Sequence, residues 1–288
     1  MTQPLATLLL LCVTSACSPL RIAESLLSSG QSIRTQDVSY GNYARHELDV
    51  YRPRAKGNAA PVVVFLYGGR WQNGSKEQYR LLGDALARRG VVVVVPDYRL
   101  YPEVIFPAWV EDAARAVKWT RNNIERFGGD TAQVWVVGHS AGAHTAVLLA
   151  LDEHYLRDAG LPANAVRGYV SLAGPVDTVW TDPDVQALMG PPDRWPSTYP
   201  RTHLTGGRRA NLLFLHGSGD KTVSPSNSVS LADRIRKSGG CAKTILYRGV
   251  GHVQLVVAFS IPQLGIAPVM SDVLNFIHQP RSKNCYTG

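Results

Sequence analysis

The chain predicts an α/β fold: a mostly parallel central sheet with helices on both faces and a small lid segment. Three observations carry that expectation. Short continuous apolar runs recur, as in Pro61–Tyr67 (PVVVFLY) and the five valines Val91–Val95, and such runs suit strands buried on both faces. Stretches of helical periodicity alternate with them. No repeat of 20–50 residues interrupts the alternation, so a solenoid or propeller is not expected. At 288 residues the chain allows one large domain or two small ones. The βα order favours one, over residues 43–288.

Before that domain, residues 1–16 read as a signal peptide. Leu5–Val13 (LATLLLLCV) is apolar, as in the core of an export signal, and too short to span a bilayer. Thr14, Ser15 and Ala16 precede Cys17, an order similar to a bacterial lipoprotein signal in which cleavage leaves a lipidated cysteine, here Cys17. Thr14 departs from the aliphatic residue such signals prefer, and Met1–Pro4 lacks the usual Lys or Arg. Export is expected, to the periplasm as an anchored lipoprotein or in secreted form. Residues 17–42 are Ser-rich without strong periodicity and read as a linker or arm.

From Tyr43 the elements follow in order. Ala44–Arg52 alternates polar and apolar residues and stops at Pro53, as an edge strand does. Pro61–Tyr67 is a buried strand, broken by Gly68 and Gly69. Lys76–Arg89 is helical through Tyr79, Leu82, Ala85 and Leu86, and Gly90 stops it. Val91–Val95 is the next strand. Trp109–Phe127 is helical, with an apolar face at Val110, Ala113, Val117, Thr120, Ile124 and Phe127. Strand Val134–Val137 and helix Ala141–Leu151 follow. Strands Tyr169–Leu172, Leu212–Leu215 and Lys243–Tyr247, with helices Ser228–Lys237 and Met270–His278, complete the pattern. One long irregular stretch, 176–209, is rich in Pro, Asp and Trp. A gap of that length inside a compact domain suits a lid over a site.

After strand Val134–Val137 comes Gly138-His139-Ser140-Ala141-Gly142, a G-x-S-x-G turn between strand and helix. The turn is sharp, its neighbours must be small, and it lifts the serine hydroxyl above the sheet edge. A serine hydroxyl needs a base, and the base an orienting carboxylate, from loops after later strands. Leu212–Leu215 is followed by His216-Gly217-Ser218-Gly219-Asp220, and Lys243–Tyr247 by Gly249-Val250-Gly251-His252. Ser140, Asp220 and His252 are therefore the expected nucleophile, acid and base. Asp182, Asp184 and Asp193 lie in the lid stretch, and His278 in a helix near the tail. His139 is expected to pack beneath the nucleophile, His216 to support the acid loop, and His144 to line the pocket. An oxyanion needs preorganised N–H donors. The backbone of Ala141 supplies one, and those of Gly69 and Arg70 supply others, with Gly68 making the turn.

Together these pieces resemble the α/β-hydrolase superfamily, from about Glu47 to Asn275. Within it the chain is similar to the branch of hormone-sensitive-lipase-like esterases, feruloyl-esterase-like hydrolases and kynurenine formamidases. The carrying residues are Leu48-Asp49-Val50-Tyr51-Arg52-Pro53, Gly68-Gly69-Arg70-Trp71, Asp97-Tyr98-Arg99-Leu100, Pro107, Asp112, Trp119 and the three catalytic loops. The branch usually has His-Gly-Gly-x-Trp in the oxyanion loop; here Tyr67 stands where the His would be. The resemblance implies hydrolysis of a carboxylic ester through an acyl-serine, with no metal or organic cofactor; because the sequence shows no long apolar groove, short or medium acyl or aryl esters are expected. An arylformamidase is the alternative. A peptidase, or a binding module on a dead scaffold, is a weaker one, since 288 residues leave no room for a prolyl-oligopeptidase domain and no triad member is missing.

Charge and cysteines narrow the partners. Lys and Arg number 30 against 22 Asp and Glu, a net +8. The basic residues are dispersed, and no zinc-finger or RNA-recognition motif accompanies them, so nucleic acid is not expected. A small ester is the expected partner, with anionic surfaces or carboxylate-bearing esters favoured by the charge. Of the four cysteines, Cys12 and Cys17 belong to the N-terminal segment. That leaves Cys241 and Cys285, which could pair in an oxidising compartment.

Overall fold

The computed structural model describes residues 32–55, 59–162, 164–204 and 211–279. The signal stretch, Cys17 and Cys285 lie outside the described residues. Eight strands form one sheet in the order β1-β2-β4-β3-β5-β6-β7-β8. They are β1 (Ser32–Ser39), β2 (Glu47–Pro53), β3 (Ala60–Leu66), β4 (Val92–Pro96), β5 (Gly129–His139), β6 (Gly168–Leu172), β7 (Asn211–Gly217) and β8 (Cys241–Tyr247). From β4 onward across the sheet the strands run parallel, while β1 and β2 pair antiparallel at one edge. The burial pattern follows the sequence. Val62–Leu66 and Val92–Val95 are wholly buried, as strands covered on both faces must be.

β1 corrects the expected arm at 17–42. SIRTQDVS has too few apolar residues to announce a strand, because an edge strand half in solvent needs few. Its pairing with β2 breaks between Thr35 and Val38, where Asp37 takes φ 54°. Lys76, from the other side of the fold's edge, reaches Asp37 and Asp49, and Arg34 pairs with Asp49. These long-range ion pairs are invisible in a local pattern.

The helices are α1 (Arg80–Ala87), α2 (Ala108–Asn123), α3 (Ala141–Leu151), α4 (Glu153–Asp158), α5 (Pro183–Met189), α6 (Trp195–Thr198), α7 (Ser226–Lys237), α8 (His252–Ser260) and α9 (Val269–Ile277). α3 is buried along its whole length, which explains its near-uniform apolar sequence AGAHTAVLLAL. α8 begins at His252 itself and was not expected. Its sequence HVQLVVAFS is apolar on nearly every side, so it lacks a polar face for periodicity to detect.

Candidate active site

The parallel strands end on one edge, and the loops that leave that edge bring the site together. β5 stops at His139, and Ser140 turns the chain into α3 with φ 53° and ψ −118°, a conformation non-glycine residues rarely adopt. The turn is closed on all sides. A Cβ on Gly138 would lie 2.2 Å from the Gly142 carbonyl oxygen, and one on Gly142 would lie 2.1 Å from that of Leu66. The Ser140 N–H donates to the Leu172 carbonyl at 2.9 Å, tying the turn to β6. Sterics, not hydrogen bonding by side chains, therefore fix the serine.

Asp220 and His252 arrive from the loops after β7 and β8. His252 Nε2 lies 2.9 Å from Ser140 Oγ, and His252 Nδ1 lies 2.7 Å from Asp220 Oδ2. The two loops are bound to each other: Gly219 N–H donates to the Val250 carbonyl at 3.0 Å, and Gly249 N–H to Ser218 Oγ at 2.9 Å. Gly219 must be glycine for this approach, since a Cβ there would meet the Gly249 carbonyl oxygen at 2.7 Å. The Asp220 carboxylate is buried. Burial alone would raise its pKa, but the N–H donors of Val223 and Thr222 and the His252 ring outweigh that and hold it below the usual carboxylate range. It is thus an anion that can orient an imidazole.

The flanking histidines have separate roles in the packing. His139 packs against His252 with centroids 5.0 Å apart and the rings tilted by 41°, and burial pushes its pKa down to about 3, so it lies neutral beside the triad. His216 sits within 3.3 Å of Asp220 Oδ2 and 3.0 Å of the Val223 carbonyl, which braces the acid loop. His144, one turn into α3 from Ser140, bonds the Thr198 carbonyl at 2.8 Å; burial lowers its pKa to about 4.

The loop after β3 passes beside the elbow. A Cβ on Gly68 would lie 2.9 Å from Ser140 Cβ. Gly69 takes φ 133°, and Arg70 and Trp71 take φ 56° and 57°. The Gly69 carbonyl accepts from Gln72 and Asn73, closing the turn. Among the described residues nothing accepts a hydrogen bond from the backbone N–H of Gly69, Arg70 or Ala141, so all three donors remain available. Tyr67 braces this loop in place of the usual His. Its hydroxyl donates to Asp97 Oδ1 at 2.7 Å and accepts from Arg45 at 2.8 Å, and Arg45 also donates to the Gly74 carbonyl at 2.8 Å. Asp97 accepts the Lys76 N–H as well, at 2.8 Å. The loop therefore bends around the Tyr67 ring, which a Cβ on Gly74 would strike at 2.8 Å.

The 176–204 segment packs on the same side. α5 and α6 are short, separated by a 3-10 turn at Pro192–Arg194. Trp180 donates to Thr198 Oγ1 at 2.6 Å and packs edge-on against Trp71 and His144. Arg70 reaches Asp182 at 2.7 Å. The side chains of Arg70, Trp180 and Thr198 are not signalled by the sequence, since nothing local distinguishes them from other loop residues. Asp184 and Asp193 are not drawn to the triad, and His278 caps α9 away from it. Among the described residues no group of three or more His, Cys, Asp or Glu could hold a metal ion. Cys241 is disulfide-bonded.

The BD-FAE family model matches residues 48–235, the span from β2 through most of α7. The chain belongs to the BD-FAE family. Its relatives and structural neighbours place that family among the esterase-type α/β hydrolases. Isoprenylcysteine alpha-carbonyl methylesterase ICME of Arabidopsis thaliana is 29% identical over 280 residues, covering 90% of this chain and 65% of the relative. Esterase LipQ of Mycobacterium tuberculosis is 28% identical over 271 residues, 86% of this chain and 63% of LipQ. The BD-FAE chain thus spans somewhat less than two thirds of each of these relatives. Among solved structures, the Pyrobaculum calidifontis esterase matches with TM-score 0.70 at 26% identity, over 89% of this chain and 88% of that one. A truncated carbohydrate esterase from gut microbiota matches the fold with TM-score 0.73 at 22% identity, over 85% and 95%.

Proposed function

We propose that the protein is a serine carboxylic-ester hydrolase working through an acyl-enzyme on short or medium acyl or aryl esters. The observation that carries the reading is the unbroken chain Asp220–His252–Ser140, at 2.7 and 2.9 Å. His252 Nε2 takes the proton of Ser140 as Oγ attacks the ester carbonyl carbon. The carbonyl electron pair moves to oxygen, where the N–H groups of Gly69, Arg70 and Ala141 stabilise it. Collapse of the intermediate breaks the C–O bond, and His252 returns its proton to the leaving alkoxide. Water then repeats the sequence on the acyl-serine. Asp220 holds the ring and stabilises the imidazolium.

The acyl preference rests on packing. Trp71, His144 and Trp180 pack edge-on against one another beside α3, with His144 one turn from the serine, and a short or medium acyl chain is read as what such a crowded aromatic cluster admits. The 176–204 segment is read as the lid. Export and lipidation at Cys17 rest on the apolar N-terminal run, and the disulfide at Cys241 suits an oxidising compartment. The test is a fluorophosphonate probe followed by a panel of p-nitrophenyl esters from C2 to C16, feruloyl esters and N-formylkynurenine. Labelling of Ser140 and an optimum below C10 are expected. Equal labelling of Ser140→Ala overturns the assignment, and turnover of N-formylkynurenine alone makes the enzyme a formamidase.

A further inference from the structure

Three of the loops that bear parts of the site also bear a cation, and none of the three presents an exposed carboxylate. The oxyanion loop has Arg70, the acid loop has Lys221 directly after Asp220, and the histidine loop has Arg248. Asp220 is the one acid in these loops, and it is buried against His252. Lys221 and Arg248 are exposed, and neither side chain has an ion-pair partner among the described residues. Their loops, which carry Asp220 and lead into His252, are bound together through Gly219, Ser218 and Gly249.

Arg70 is the cation whose direction is set. The chain takes left-handed φ at Arg70 and again at Trp71, neither of them glycine. Trp71 turns into the core at 2% exposure, and Arg70 stands out of it with 53% of its side chain in solvent. Its partner Asp182 is 45% exposed and comes from the 176–204 segment, 112 residues on. Asp182 uses its other oxygen to accept the Asp184 N–H at the start of α5. An exposed pair of this kind is weak, because water solvates both partners well. A second carboxylate can displace Asp182 from the guanidinium at little cost, and the guanidinium fork is suited to receive it.

We propose that Arg70 is a specificity residue for esters carrying a carboxylate, with Asp182 occupying the substrate anion's place until it binds and Lys221 and Arg248 raising the local anion concentration. This rests on the reading of Ser140 as the nucleophile, since only then does the loop of Arg70 face the reacting carbonyl. Arg70 has two separate parts: its N–H faces the oxyanion, and its side chain selects the ester.

The experiment compares kcat/KM for mono-p-nitrophenyl glutarate with that for p-nitrophenyl pentanoate, which is similar in length but uncharged. The quantity read is the ratio of the two. Wild type should favour the glutarate, and 0.5 M NaCl should reduce the preference. Arg70→Gln should lower the ratio about tenfold, and Arg70→Lys should restore part of it, as loss of one charge-assisted contact implies. Asp182→Asn should raise the ratio about threefold by removing the competitor. The double variant Lys221→Gln with Arg248→Gln should lower it about twofold through steering, an effect abolished by salt. A ratio unchanged in Arg70→Gln and Asp182→Asn overturns the proposal. So does an equal loss on both esters in Asp182→Asn, which would make the pair a simple latch. A wild type that cleaves neither ester overturns the esterase reading, and this inference with it.

Discussion

The turn around Ser140 and the 176–204 segment meet at His144, but different forces hold them. The turn is held by exclusion: Gly138, Gly142 and Gly68 leave no room for a side chain, and Ser140 takes a positive φ between them. The segment is held by side-chain contacts: Trp180 to Thr198, His144 to the Thr198 carbonyl, Arg70 to Asp182, and Asp177 to Arg234. Backbone exclusion of this kind tolerates almost no change. Contacts between side chains can be exchanged one by one. The difference separates where chemistry is fixed from where selectivity can vary.

The largest effect should come from Ser140, the proposed nucleophile. Ser140→Ala should lower kcat on the order of 10⁶-fold on a neutral ester while leaving the melting temperature within a few degrees. Steady-state kinetics beside calorimetry checks both. A loss of less than tenfold would remove Ser140 from the chemistry and leave the turn as mere packing.

Next is exclusion itself. Gly142→Ala puts a Cβ 2.1 Å from the Leu66 carbonyl oxygen, a backbone atom with no freedom to move aside. It should cost about 3 kcal/mol or more in urea unfolding. Gly249→Ala is the control. Its φ is 73°, but no atom lies within 4 Å of the added Cβ, so only about 1 kcal/mol of backbone strain should appear. Gly142 has no left-handed φ, so equal costs would show that the backbone around it relaxes to admit the Cβ and that crowding does not fix the turn.

Two of the four buried histidines, His139 and His144, place the comparison on a pH axis. Burial pushes His139 down to about 3 and His144 down to about 4 from an ordinary 6.5. The unfolded chain therefore binds protons below about pH 6.5 that the folded chain refuses. Stability is full above that pH and is lost as pH falls toward 4; these two rings contribute about two protons to the slope, and His46 and His216, which burial also pushes down, add to it. Replacing His144 with Gln should remove one proton from the slope and loosen the 176–204 segment. Replacing His139 with Gln should remove the other and disturb the triad. A flat profile between pH 7 and 5 would mean that neither ring is held neutral.

What could be read in advance follows the same division. The apolar runs of β3 and β4, and the order Ser140, Asp220, His252 after three successive strands, are local patterns tied to one architecture. So are the small residues around the turn. β1 escaped because its stability comes from β2 and from the ion pairs of Arg34 and Lys76 with Asp49, all remote in sequence. α8 escaped because both of its faces are apolar. In the 176–204 segment Trp180, Thr198 and Asp182 find partners up to 112 residues away, so their spacing along the chain carries no signature of their contacts.

Tyr67 belongs to the excluded side of the comparison, although it acts through a side chain. Tyr67→Phe removes the hydroxyl shared by Asp97 and Arg45, leaving a part-buried carboxylate short of one donor. Stability should fall by about 1–3 kcal/mol. The fall in kcat should stay below about tenfold, because Arg45 still holds the Gly74 carbonyl and the glycine turn remains closed. A kcat loss as large as that of Ser140→Ala would mean that the hydroxyl, rather than the turn, sets the oxyanion donors.

Trp180→Phe should have the smallest effect, and it tests the contact-held side most directly. Phe keeps much of the ring packing against Trp71 and His144 and loses the Nε1 donor to Thr198 Oγ1. Thr198 keeps its bond to the Trp195 carbonyl, so the hydroxyl is not left without a partner. One neutral hydrogen bond is worth about 1 kcal/mol, and a shift of that size in a contact beside the site should change KM a few-fold. The turn at Ser140 touches none of these atoms, so kcat on p-nitrophenyl acetate should hold. Longer esters should gain, since the smaller ring opens space one turn along α3. If kcat fell on every ester alike, the segment would be part of the machinery that fixes the serine, and the division between excluded backbone and exchangeable contacts would not hold.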